Sequence, residues 1–157
     1  MSTVDVVLKK VDLVRLVELS ALAASYTPED IGPVIRPLCG ELVRRMTANS
    51  IPFIGPCTAY YEPADDDKVT VHAGMPFNGD TADGLTVVDL PTIDEAATLV
   101  HHGVMAEISG SYQALAHWIE DNGYRAREGE AREVYLHCPE NEQEWVTELQ
   151  IPVTKAG

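Results

Sequence analysis

The sequence predicts an α+β fold of duplicated strand-helix-strand-strand units, related by a pseudo-twofold axis with a central groove along it. Three observations predict it. Two stretches carry apolar residues at helical spacing, each is followed by a pair of strand-like runs, and the two pairs match at a fixed offset.

Taken in order, residues 11–19 mix β-branched and apolar side chains with isolated charges, a strand pattern. Thr27 followed by Pro28 is a helix start, because proline loses nothing at the first helical position. Ile31, Val34, Ile35, Leu38, Leu42, Val43 and Met46 then recur at helical spacing, but Pro33 and Pro37 intervene. Regular helix is therefore expected only from near Ile35. Residues 57–62 and 68–77 read as strands around the acidic turn 63–67. In the second half, 85–90 and 96–102 read as strands separated by the turn 91–95. A helix over 108–122 carries Ile108, Tyr112, Leu115 and Ile119 on one stripe, and Gly123 closes it with a left-handed residue. Residues 132–137 and 144–153 form the last strand pair, around the acidic turn 139–143.

Tyr61-Glu62-Pro63 lies 76 residues before His137-Cys138-Pro139, and the same offset sets 69–77 on 145–153. Both copies run strand, Pro-led acidic turn, strand, then apolar-Pro-apolar. A duplication explains this, and equivalent residues from each half would then line the groove.

Composition narrows the partners. The chain has 157 residues, with 25 acidic against 11 basic, a net charge of −14. Nucleic-acid backbones and anionic membranes would repel it, which excludes direct nucleic-acid or membrane binding, whereas cationic small molecules would be attracted. Hydrophobic residues at 45% are ordinary for a folded domain, and no apolar run approaches the ~18 residues of a membrane span. The N-terminus has no cationic start followed by an apolar stretch, so the expected location is cytoplasmic. Cys39, Cys57 and Cys138 are odd in number and widely spaced, and read as reduced thiols.

Glu148 is the first candidate for chemistry. It stands mid-strand among apolar or neutral residues, sharing a face with Val146 and Gln150, and it points away from the helices if the Thr147, Leu149 and Ile151 face packs under them. A carboxylate among aromatic rings attracts an organic cation. Taken alone, the residue is better read as an exposed glutamate on a solvated sheet face. His72 is its match in the first half and would line the opposite wall. Tyr60 and Tyr61 alternate, so one of them faces the groove. Tyr112 and Trp118 fit core packing on the helix, while Tyr135 and Trp145 flank the last hairpin and fit either role. No HxxxH or HxH spacing supports a metal, and no glycine-rich phosphate loop implies a cofactor. Ser109-Gly110-Ser111 reads as a helix cap, not a nucleophile, and Asp65-Asp66-Asp67 as a solvated turn.

His101-His102-Gly103, residues 111–119, Asn122-Gly123-Tyr124, Val134-Tyr135-Leu136 and residues 147–153 together resemble the GyrI-like family. That module is the effector-binding domain of AraC- and MerR-type multidrug regulators. The resemblance implies one GyrI-like domain over 1–157, with halves at about 4–78 and 83–154. It implies a groove for bulky, often cationic aromatic compounds, with Glu148 as its acidic floor. It also implies a stand-alone member, since no stretch of this sequence is left for a helix-turn-helix. Such members sequester drugs, inhibit gyrase, or hydrolyse the strained cyclopropane ring of DNA-alkylating natural products.

Three functions therefore stand: a binder, an enzyme and a protein that interacts with gyrase. As a binder, Glu148 would supply charge, and Tyr60 or Tyr61, Tyr112, Tyr135, Trp118 and Trp145 stacking surface. As an enzyme, Glu148 would be the general base and Tyr112 or Tyr135 a hydrogen-bond donor. Gyrase, or a second copy of the chain, is the protein partner the resemblance admits.

Overall fold

A computed structural model describes residues 5–127 and 129–156; the start expected for the first half, near residue 4, lies outside them. The chain forms two compact units. Leu13–Pro91 is one, and the segment up to Asp12 joins the stretch from Thr92 onward in the other.

The chain opens with β1 (Val7–Val11), which pairs into the second of these units. The Leu13–Pro91 unit holds β2 (Val14–Ala23), α1 (Pro28–Ala48), β3 (Cys57–Pro63), β4 (Val69–Pro76) and β5 (Thr86–Leu90). Its antiparallel sheet runs β3-β4-β2-β5. Alternation sends Val17, Leu19, Val71, Ala73 and Met75 toward α1, where Leu42 and Met46 fill the core with no exposure. Each such aliphatic side chain contributes about 1.5–3 kcal/mol by leaving water.

The other unit repeats the order, with β6 (Ile93–His102), α2 (Ile108–Asp121), β7 (Tyr124–Ala126), β8 (Arg132–His137) and β9 (Val146–Lys155). Its sheet runs β1-β6-β9-β8, with β7 paired to the end of β9. Ala97, Leu149 and Val153 meet Ile108, Leu115 and Ile119 of α2. The α+β class and the strand-helix-strand-strand order thus stand in each unit. Among the described residues, no helix is long and apolar enough to cross a membrane.

Three expectations change. Helix α1 begins at Pro28, not near Ile35, with both inner prolines accommodated. Pro33 and Pro37 are four residues apart and exposed, so the carbonyls they leave unbonded lie on a solvent stripe near the helix start. The first strand-like run is two strands, β1 and β2, because Asp12-Leu13 breaks the pairing. Ser109 and Ser111 are not caps: Glu107 precedes α2, and both serines lie inside it. Gly123 does close α2 in the left-handed region, at φ 78°.

Candidate functional site

Strand β8 sets Glu133 opposite Leu149, which is fully buried beneath α2, so Glu133 points to the helix side of the sheet. It is only 5% exposed. A carboxylate at that depth requires hydrogen-bond donors to offset lost hydration. Two phenols supply them. Tyr112 donates to Oε2 at 2.5 Å and Tyr135 to Oε1 at 3.1 Å. Tyr112 sits one turn beyond Ile108 on the stripe that faces the sheet, and Tyr135 follows Glu133 by the strand period of two.

Trp145 extends this wall. Its ring lies 6.3 Å from that of Tyr135, tilted by 53°, and its indole N–H donates to the Pro139 carbonyl at 2.7 Å. Nearby, His101 of β6 is tied to α2. Its Nε2 lies 2.9 Å from the Val104 carbonyl, which can only accept, and its Nδ1 lies 2.7 Å from the Ser111 hydroxyl. The result is a shielded carboxylate bonded by two phenols, one of which lies beside Trp145, and held by the helix on one side and the sheet on the other. Such a setting suits a cation with apolar substituents, and it also sets a carboxylate beside a phenolic proton donor.

Two further residues singled out from the sequence lie elsewhere in this unit. Glu148 faces away from α2, where Lys9 Nζ is 2.9 Å from its Oε2 and Gln150 donates to its Oε1 at 2.7 Å. Trp118 stacks on Tyr124 at 6.1 Å and packs against the core under α2. In the Leu13–Pro91 unit, Tyr61 lies on the α1 side of the sheet, while Tyr60 and His72 lie on the side away from it.

There Tyr60 and His72 stack with ring centroids 4.3 Å apart and planes within 3°. Both reach Glu18, which is 3% exposed: the Tyr60 hydroxyl donates to Oε1, and His72 Nδ1 lies 2.5 Å from Oε2. Glu62 approaches the other ring nitrogen at 2.6 Å, close but poorly aligned for a hydrogen bond. Burial pushes the His72 pKa down. The hydrogen bond and charge of Glu18, with the nearby charge of Glu62, outweigh burial and hold it above its ordinary value of 6.5. Among the described residues, no group of three or more His, Cys, Asp or Glu is arranged to hold a metal.

Sequence reasoning missed Glu133 and Glu18, although the signal was present. Glu18 is a lone carboxylate in the apolar run Leu16-Val17-Glu18-Leu19, the same cue that selected Glu148, while Glu133 follows Arg132 and gives a weaker form of it before Val134-Tyr135-Leu136.

Comparison with known proteins supplies the family. Residues 17–154 match the GyrI-like small molecule binding domain. A DNA gyrase inhibitor of Erwinia billingiae (strain Eb661) is 30% identical over 97 residues, which are 60% of this chain and 63% of that protein. The crystal structure of the EcmrR C-terminal domain is similar over 99% of this chain and all of that one, with 25% identity and a TM-score of 0.74. SAV2435 bound to tetraphenylphosphonium shares the fold at 11% identity, covering 96% of this chain and 94% of that one, TM-score 0.70. A match that spans both helices and strands β3 to β8 whole leaves no doubt about kinship: the chain belongs to the GyrI-like small-molecule-binding family.

Proposed function

We propose that the chain binds bulky hydrophobic, cationic aromatic small molecules and so sequesters several drugs in the cytoplasm, with Glu133 as the acidic anchor. The observation that carries this reading is a carboxylate 5% exposed and bonded by Tyr112 and Tyr135, with Trp145 beside Tyr135. Away from water its attraction for a cation is several-fold stronger than at the surface. Aromatic faces add to it and discriminate weakly among planar ligands, which favours breadth over selectivity. Glu148 is the second-ranked anchor, because Lys9 already balances it.

The test is calorimetric titration with tetraphenylphosphonium, the cation bound by SAV2435, on wild type, Glu133→Gln and Glu148→Gln. Micromolar binding weakened about tenfold by Glu133→Gln alone supports the reading. Loss confined to Glu148→Gln moves the anchor to that residue.

A hydrolase reading uses the same groups. With Tyr112 O–H 2.5 Å from the Glu133 carboxylate, a general base and a hydrogen-bond donor already adjoin. Glu133 would take a proton from water as it attacks a strained cyclopropane, and a tyrosine hydroxyl would support the charge that develops. Turnover of a cyclopropane-bearing alkylator separates this from sequestration. Gyrase supercoiling in the presence of the chain tests the third activity, that of its Erwinia billingiae relative.

A further inference from the structure

Helix α1 carries Cys39 and strand β3 begins with Cys57, and their sulfurs lie 3.9 Å apart, half-buried, with no disulfide between them. The position is not arbitrary. The buried stripe Ile35, Leu42 and Met46 of α1 recurs in α2 as Ile108, Leu115 and Ile119, each 73 residues later. That spacing sets Cys39 on Tyr112. Where one unit bridges its helix to its sheet by a phenol–carboxylate hydrogen bond, the other does so by two thiols.

We propose that Cys39 and Cys57 are a reversible redox site, closed by a peroxide into a disulfide that locks α1 onto β3. The Cys39 thiolate attacks the peroxide, giving a sulfenic acid and releasing the leaving oxygen as hydroxide. The Cys57 sulfur then displaces hydroxide from that sulfenic acid. In total two thiols and one hydrogen peroxide give one disulfide and two waters, and a dithiol reductant reverses it. Cys39 attacks first because the hydrogen bond from Cys57 holds its pKa below the usual thiol value, against the opposing effect of burial. Closing 3.9 Å to a bond of about 2.05 Å takes about 2 Å of movement, shared between two side chains. Cys57 packs at the border of the α1 core, so the bond would join elements already in contact.

The experiment treats the purified chain with a small excess of hydrogen peroxide, alkylates the remaining thiols and maps the peptides by mass. The expected result is loss of two hydrogens from the intact mass and a Cys39–Cys57 cross-linked peptide pair that dithiothreitol removes. The unfolding midpoint should rise on the order of 5 °C in the cross-linked form. Cys57→Ser should leave a Cys39 sulfenic acid that dimedone traps, and Cys138→Ser should leave the cross-link intact. Full alkylation of Cys39 and Cys57 while the exposed Cys138 oxidises would overturn the proposal, as would a cross-link through Cys138.

Discussion

Replacing Glu133 by Gln removes one negative charge from a site 5% exposed and one of the two oxygens that Tyr112 and Tyr135 address. The side chain keeps its shape, so packing is preserved. For a cation centred ~6 Å from the carboxylate in a medium of effective dielectric about 20, the lost attraction is about 3 kcal/mol. Further desolvation of the carboxylate when the ligand covers it, a cost the Gln variant avoids, offsets roughly half of that, which leaves a net loss on the order of 1.4 kcal/mol, or tenfold in Kd. Calorimetry with tetraphenylphosphonium reads this directly, and a neutral triphenyl compound of the same size is the control. The neutral ligand should bind both proteins within about twofold, because its affinity rests on ring contact alone. Equal affinity of the cation for wild type and Glu133→Gln, beside a tenfold loss in Glu148→Gln, would refute the reasoning: the shielded carboxylate would then be structural, and the Lys9-paired one functional.

Three further outcomes follow from the same geometry. Tyr112→Phe leaves a buried carboxylate oxygen without its 2.5 Å donor and should cost about 1–2 kcal/mol in urea unfolding; a change below a few tenths would contradict the bond. His72 is held above 6.5 in the fold by Glu18 and Glu62, so its stabilisation is fully present below about 6.5 and lost as pH rises through the folded value. Wild type should therefore exceed His72→Gln in stability most at pH 6 and least at pH 9, and a gap that widens with pH would reverse the argument. Leu115→Ala empties a fully buried site under α2 and should lower stability by about 2–5 kcal/mol, a midpoint loss of roughly 5–15 °C by calorimetry.

Much of the fold was legible because periodicity survives local irregularity. The stripes Ile35-Leu42-Met46 and Ile108-Leu115-Ile119 mark their helices whatever the prolines do. What misled was treating each proline as a helix breaker, when its cost depends on which side of the helix loses the bond. The site was harder to read because strand pairing, not linear spacing, decides what meets. The 76-residue offset holds along β4 and β9 but slips on their partners. His137 pairs with Val146, whose match at that offset, Thr70, pairs with Glu62 and not with Tyr61. The register shift between Tyr135 and His137 is the cause: β8 has one residue more than β3 over this stretch. Corrected for it, Tyr135 matches Tyr61 and Glu133 matches Ala59, so the carboxylate has no counterpart that a repeat comparison could have exposed.

That asymmetry predicts a stoichiometry. On the helix side of its sheet, the Leu13–Pro91 unit has Cys39, Ala59 and Tyr61 where the other has Tyr112, Glu133 and Tyr135. Ala59 is fully buried and carries neither charge nor polar atom in its side chain. A lipophilic cation entering there would give up its hydration for a phenol and two thiols, with no carboxylate at the Ala59 position to offset the loss. Titration should therefore fit one cation per chain, and Glu133→Gln should reduce the affinity without exposing a second class of site. Two sites per chain that both keep their affinity in Glu133→Gln would show that apolar contact alone carries the binding, and the carboxylate would lose its place in the argument. The duplication would then have kept two pockets alike. One site means that it kept the scaffold twice and the chemistry once.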